Sequence, residues 1–324
     1  MGREPVAMFR RVAVPTPFQI GAVNAYVAGR TVVDPGPDSE EAWSGLVATL
    51  EDEAGLHPTD VERVIITHPH PDHFGLAARL REAGATVLAT PKTAEIVGDF
   101  EGNFEYERGF FTDFFTRCGL GRDTAETVTG LPEAFLHYAP SVETDRTIAD
   151  GETVTVDGVT LTAEETVGHA ASELLLRYDA EGEHRALVGD HVLPGITPNP
   201  LLQPPPADGA DRPRPLPAYN ESLDRLAGEP LDRLLPGHRD EIADPPGRIA
   251  AIREAHEDRT DEVAALLEGP TTPLEIMEGL FGDLPATEVF SGMSEAVGHL
   301  DVLEARDRVT RREQGGLLVY ERVE

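Results

Sequence analysis

Val61-Glu62-Arg63-Val64-Ile65-Ile66-Thr67-His68-Pro69-His70-Pro71-Asp72-His73 is the stretch from which the rest of the chain can be read. Its first half is a β-branched run, the composition of a buried strand. Its second half places three imidazoles and a carboxylate directly after that strand. Alternation along a short loop turns His68 and His70 toward one point, and Asp72 and His73 toward a neighbouring one. Imidazole and carboxylate together suit zinc, iron or manganese, and one loop can seed two metal positions. A solvent-exposed polar turn that holds histidines by accident is the bland alternative. It does not explain why the cluster sits at a strand-to-helix junction.

Other short segments share this layout of an apolar run ending in a ligand. Thr166-Val167-Gly168-His169-Ala170 ends in an imidazole, Leu187-Val188-Gly189-Asp190 in a carboxylate, and Leu234-Leu235-Pro236-Gly237-His238 in another imidazole. Upstream, Thr31-Val32-Val33-Asp34-Pro35-Gly36 carries an aspartate after a short strand. Together, and in this order, these segments resemble the motifs of the metallo-β-lactamase-fold hydrolases, whose first motif is H-x-H-x-D-H. The resemblance extends from about Val12 to Ile242.

The resemblance implies an αββα sandwich with two divalent metal ions at its strand ends. It assigns His68, His70 and His169 to a first metal and Asp72, His73 and His238 to a second, with Asp190 bridging them. Zinc is the first expectation, with iron or manganese as alternatives. Two metals about 3.5–4 Å apart would share a water whose pKa falls to near 7, ready to attack a carbonyl or phosphoryl centre. Asp72 and Asp190 are therefore the expected catalytic carboxylates, Asp72 by orienting the water. Asp34 is expected to steady a ligand from behind, and His191, beside the bridging aspartate, to sit near the site.

The chain has one cysteine, Cys118, so no intramolecular disulfide can form. The antibiotic-degrading branch with a cysteine ligand at the second metal has no counterpart here, which argues against antibiotic hydrolysis. Cys118 lies between aromatic runs and reads as a small buried apolar residue. The formal net charge is -32, and Lys92 is the one lysine among 27 basic residues. Acidity spread through every segment, with arginine in place of lysine, resembles the proteins of salt-in halophiles. The same charge disfavours a nonspecific grip on nucleic acid. No stretch approaches the about 20 continuous apolar residues of a membrane span, so a cytoplasmic protein without membrane contact is expected.

The 324 residues divide into an expected catalytic domain over 1–246 and a smaller one over 247–324. Within the first, about 96–140 reads as a helical insertion rich in aromatic rings. There Phe110, Phe111 and Phe114 are candidates to line a substrate pocket, the alternatives being core packing of a helical subdomain or a homodimer contact. The proline-rich stretch Pro198 to Pro217 is read as neither helix nor inner strand. After Pro245-Pro246-Gly247, spacing predicts helices over Ile249 to Leu267, Pro273 to Phe281 and Thr287 to Ala305. A hairpin about Gln314-Gly315-Gly316 follows. This tail resembles a winged helix, yet it is mainly acidic, with a basic cluster only at Arg306, Arg308, Arg311 and Arg312.

A metallohydrolase domain with such a tail resembles the branch that includes β-lactamase-like protein 2. The leading expectation is a binuclear metal hydrolase acting on a small ester, thioester or lactone. The alternative is a single-strand endoribonuclease, which would need the tail arginines to line an approach to the metals. A DNA-binding regulator that senses a ligand is a third reading, opposed by the full ligand set. One consequence of the charge is directly measurable. Dialysis from molar KCl into low-salt buffer should lower the melting temperature and unfold the chain as self-repulsion is unscreened; a melting temperature indifferent to salt would rule out the halophilic reading.

Overall fold

In the computed structural model, residues 9–206 and 211–323 are described. Among them, six strands hydrogen-bond in chain order into one sheet: β1 (Arg10–Val14), β2 (Val23–Ala28), β3 (Thr31–Val33), β4 (Arg63–Ile65), β5 (Thr86–Ala89) and β6 (Arg146–Thr147). The first three are antiparallel neighbours, and β3 to β6 run parallel. A second sheet has the order β11-β10-β9-β8-β7, from β7 (Thr153–Val156), β8 (Val159–Thr166), β9 (Glu173–Ala180), β10 (Glu183–Gly189) and β11 (Arg233–Pro236). Its β7–β8 hairpin turns on Asp157 at φ 46° and Gly158 at φ 83°, the left-handed pair that a two-residue hairpin requires.

Period-two alternation sorts the first sheet's side chains between two cores. Tyr26, Ala28, Val33, Ile65 and Leu88 cluster with Leu161, Ala163, Leu174, Leu176 and Leu187 of the second sheet. Their neighbours Val27, Val32, Val64, Ile66 and Val87 cluster instead with Ala42 and Leu46 of α1 (Glu40–Thr49) and with Ala77 and Leu80 of α3 (Ala77–Glu82). A helix layer, a sheet and a second sheet follow from that sorting, the mixed α/β architecture expected. Ser39 caps α1 by accepting from the Ala42 N–H at 3.0 Å.

The chain forms two compact units. The first takes in residues up to Glu101, Phe135–Pro198 and Leu226–Ile249; the second takes in Gly102–Ala134, Asn199–Arg225 and residues from Ala250 onward. The remaining helices are α2 (Pro71–Phe74), α4 (Pro91–Gly98), α5 (Phe100–Arg117), α6 (Arg122–Gly130), α7 (Pro215–Ala227), α8 (Pro245–Leu266), α9 (Pro273–Phe281) and α10 (Ala286–Ala305). A hairpin of β12 (Val309–Gln314) and β13 (Leu317–Arg322) ends the described chain. Two proline-opened helices depart from the sequence expectation. Pro215 opens α7 inside the stretch read as non-helical, and Pro245 and Pro246 open α8, because proline is tolerated in a first turn whose N–H groups lack intrahelical partners anyway.

The aromatic insertion supplies much of the second unit's core. Phe111, Phe114 and Phe115 cluster with Val263, Ile276, Met293 and Leu300, and Phe290 packs edge-on against Phe111 at 5.0 Å and Phe115 at 5.2 Å. Cys118 is buried there too, and burial pushes its thiol up to about 12, so it stays protonated. Among the described residues no helix is long and apolar enough to cross a membrane.

Arg212 and Asp301 form a buried pair in this unit, the guanidinium donating to both carboxylate oxygens at 2.8 and 2.7 Å. Burial raises the Asp301 carboxyl above its ordinary value even against the opposing charge of Arg212. Removing one partner leaves an uncompensated buried ion. Arg212→Ala should therefore cost about 3–5 kcal/mol of stability in thermal or urea unfolding, whereas Arg212→Met with Asp301→Leu should cost far less. Equal losses in both would show that packing, not charge, holds this contact.

Candidate metal centre

Each strand that the sequence marked as ending in a ligand ends at one edge of the sandwich. β4 stops at Ile65, and Thr67 to His70 lead into α2, whose Pro71 takes the first helical position. His169 follows β8, Asp190 follows β10 and His238 follows β11. The parallel pairing of β10 with β11 shifts register at Gly189 and Pro236, which sets Asp190 beside Gly237 and His238. Asn24 of β2 pins that segment, its side-chain amide donating to the carbonyls of Pro236 at 2.9 Å and Arg239 at 2.8 Å.

Ligand atoms of His68, His70 and His169 lie within 4.8 Å of one another, and so do those of Asp72, His73 and His238. Asp190 reaches both groups. Its Oδ2 is 3.7 Å from His169 Nε2 and 3.5 Å from His238 Nε2, and its Oδ1 is 3.5 Å from His73 Nε2. Asp72 Oδ2 stands 3.3 Å from His238 Nε2. In the first group His70 Nδ1 and His169 Nε2 face each other at 3.0 Å.

The opposite ring nitrogens are spoken for. His73 Nδ1 donates to Asp34 Oδ2 at 2.9 Å, and His238 Nδ1 to the Ala22 carbonyl at 2.8 Å. His68 Nδ1 contacts Thr67 Oγ1 at 2.9 Å, and that hydroxyl donates to Asp34 Oδ2 at 2.6 Å. Asp34 Oδ1 also accepts the Thr67 N–H at 2.8 Å. These tautomers leave lone pairs on Nε2 of all three rings. The same three Nε2 atoms and Asp190 Oδ1 are buried without a hydrogen-bond partner. Buried polar atoms are rarely left so, and four converging ones fit a cation.

Electrostatics points the same way. Burial, reinforced by neighbouring imidazoles, holds His68 well below its ordinary value and His70 down at about 3, so both rings are neutral, the form that could bind a cation. Burial alone would raise the Asp190 carboxyl; His73, His238 and His169 outweigh it and keep it ionised far below the usual carboxylate range. Burial would likewise lower His73 and His238, but the surrounding carboxylates raise both, so a proton and a cation would compete for those two Nε2 positions. The pocket thus concentrates negative charge where metal charge would be compensated.

His191 is buried, with Nδ1 3.0 Å from Glu173 Oε2, and the same oxygen accepts the His169 N–H at 3.1 Å. Glu173 therefore links His191 to the backbone of His169. Thr67, Glu173 and Asn24 carry no motif of their own, and each reads in the sequence as an ordinary strand residue. By contrast Phe111 and Phe114 lie in the second unit's core, and Phe110 stacks on Phe114 with centroids 5.7 Å apart.

The fold and the histidine-aspartate groups define a metallohydrolase-type protein. The profile of the family described as the metallo-beta-lactamase superfamily matches residues 19–238, and the chain belongs to that superfamily. It is similar to the probable metallo-hydrolase YqjP of Bacillus subtilis (strain 168), at 30% identity over 95% of this chain and 96% of that one. Among solved structures, a metallo-beta-lactamase family protein from Thermus thermophilus aligns with a TM-score of 0.80 and 27% identity, covering 98% of this chain and 99% of that one. A beta-lactamase domain protein from Burkholderia ambifaria aligns with a TM-score of 0.81 and 26% identity, covering 99% and 93%.

Two substitutions probe this geometry. A Cβ on Gly237 would stand 2.3 Å from Asp190 Oδ1 and 2.7 Å from His73 Cε1, so Gly237→Ala should displace the carboxylate and abolish stoichiometric metal binding. Asp34→Asn keeps the shape but weakens the hold on His73 and Thr67. Its metal affinity, measured by competition with a chelator, should fall about 10–100-fold, and an unchanged affinity would remove Asp34 from the centre.

Proposed function

We propose that the protein is a binuclear metal-dependent hydrolase acting on a small ester, thioester or lactone. His68, His70 and His169 would hold one divalent cation and Asp72, His73 and His238 the other, with Asp190 shared. Zinc suits these ligands first, with iron or manganese as alternatives. The observation that carries this reading is the Asp190 carboxylate within 3.5–3.7 Å of imidazoles from both groups. When bound, such a pair supplies Lewis-acid charge and an activated water.

The chain's own residues supply orientation. Asp72, 9% exposed at the mouth of the cluster, is placed to accept a proton from an attacking water and to turn it toward an acyl carbon. Asp34 and Thr67 fix the tautomers of His73 and His68. Substrate recognition is supported by a different aromatic group from the one the sequence singled out. Phe18 packs against Phe135 at 5.3 Å and Tyr138 at 6.0 Å. This cluster is tied to the metal loops: the Tyr138 carbonyl accepts the Asp38 N–H at 2.7 Å, and the loop bearing Phe18 runs to Ala22, which holds His238. Phe135 is 40% exposed, an apolar surface suited to an acyl chain or ring.

The ribonuclease alternative rests on four tail arginines, and two of them are engaged with carboxylates: Arg306 with Glu257 at 2.6 Å and Arg308 with Asp261 at 3.2 Å. Helices α8 to α10 and the β12–β13 hairpin follow the order of a winged helix, and we read that segment as a framing module of a cytoplasmic enzyme, with a homodimer as its simplest assembly. The test is metal analysis and hydrolysis in molar KCl. Two metals per chain and turnover of thioesters or lactones are expected, with kcat/KM lowered at least about a hundredfold by Asp190→Ala. Chelation should also lower the melting temperature, because the ligand binds only the folded state. Cleavage of single-stranded RNA with no turnover of acyl substrates would overturn the reading.

A further inference from the structure

The second unit contains a cavity of about 350 Å³ whose lining departs from the charge of the rest of the chain. Arg117, Arg212, Arg311 and Arg312 border it beside the rings of Phe110 and Phe114. The acidic lining residues are Asp211 and Glu313, so four basic residues border it against two acidic ones in a protein of net charge -32.

The arginines differ in how fully they are used. Arg212 is committed to Asp301, and its guanidinium lies 5.3 Å from the centre of the Phe114 ring. It serves as a fixed wall. The others are held less closely by acid: among the described residues, the closest carboxylates are at 3.4 Å from Arg117 (Glu313), 3.6 Å from Arg311 (Glu304) and 3.4 Å from Arg312 (Glu321), and Arg311 also meets the Tyr320 hydroxyl. Such distances are long for charge-assisted hydrogen bonds, and the pairs of Arg117 and Arg312 are about half exposed, where an ion pair contributes little. Their planar donors remain open to a stronger acceptor. A carboxylate fills one guanidinium fork, whereas a phosphate dianion offers oxygens to several at once.

The apolar part of the lining has a shape of its own. Phe110 stacks on Phe114 with 11° between ring planes, and Arg212 lies over Phe114, so the half-buried Phe110 ring is the aromatic surface left beside the guanidiniums. A flat ring beside phosphate-binding donors matches a base joined to a phosphate. The volume lies within the about 300–1,000 Å³ of small-molecule sites, and the long-range field of an acidic chain opposes an extended polyanion more than a small one.

We propose that this cavity is a binding site for a nucleoside phosphate, with the ring on Phe110 and the phosphate on Arg117 and Arg311. The site belongs to the second unit and stands apart from the hydrolase reading of the first. Isothermal titration with ADP, adenosine and inorganic phosphate, at a salt concentration that keeps the metal-loaded protein folded, tests it. ADP should bind once per chain and tighter than either fragment. Arg117→Gln and Arg311→Gln should each weaken ADP about tenfold. Phe110→Leu should weaken ADP and leave phosphate unchanged. ADP affinity unchanged in both arginine variants would place the ligand at the metals and overturn the proposal. So would phosphate binding as tightly as ADP, or a single-stranded oligonucleotide binding far tighter than either.

Discussion

The Asp190 carboxylate, buried among imidazoles from three separate strand ends, is the contact on which the arrangement of the first unit depends. Burying a carboxylate and several histidines side by side is costly unless each polar atom has a partner. The fold meets that cost on one side of each ring only. Thr67, Asp34 and Ala22 take the Nδ1 positions of His68, His73 and His238, and the Nε2 atoms of His73 and His238 face Asp190. Stability and chemistry are therefore joined: the atoms that would destabilise an empty core are those that would hold a cation.

That convergence also explains why the two sheets meet as they do. Ligands on β8, β10 and β11 can face the loop after β4 only if the sheets share a core, and the alternation of Ile65 against Val64 and Ile66 provides it. Close approach matters as much as ligand identity. Gly237 lies where any side chain would enter the Asp190–His73 contact, and the carbonyl of the same residue accepts the Asn24 N–H at 2.7 Å.

Local features were legible in the sequence because their causes are local. The stretch Ile65 to His73 states its strand, its loop and its candidate ligands within a few residues, and the helix over Pro273 to Phe281 falls at the bounds its spacing predicts. Supporting residues were not legible, since Thr67, Asn24 and Glu173 acquire their roles from partners distant in the chain. The domain boundary suffers in the same way. A cut after residue 246 follows composition, but the compact units are assembled from interleaved segments, and the insertion's aromatic residues pack with helices more than a hundred residues away. Phe111 illustrates this: as one ring in an aromatic run it suits a pocket, and only its contact with Phe290 gives it a core role.

Charge is where sequence and structure must be weighed together. A net charge of -32 describes the far field, which governs solubility and the response to salt. Binding is decided by the near field, and there the arginines are distributed unevenly in how they are used. Arg79, Arg81 and Arg185 sit at 2.6–3.0 Å from their carboxylates, each with two acidic partners. Arg117, Arg311 and Arg312 have no described carboxylate closer than 3.4 Å, and they border one cavity. In a chain with more than two acidic residues for each basic one, such under-used arginines are not forced by any shortage of carboxylates. Their spacing from acid is a property of where the second unit's hairpin and helix α5 place them, and it leaves a local acceptor site inside an otherwise repulsive field.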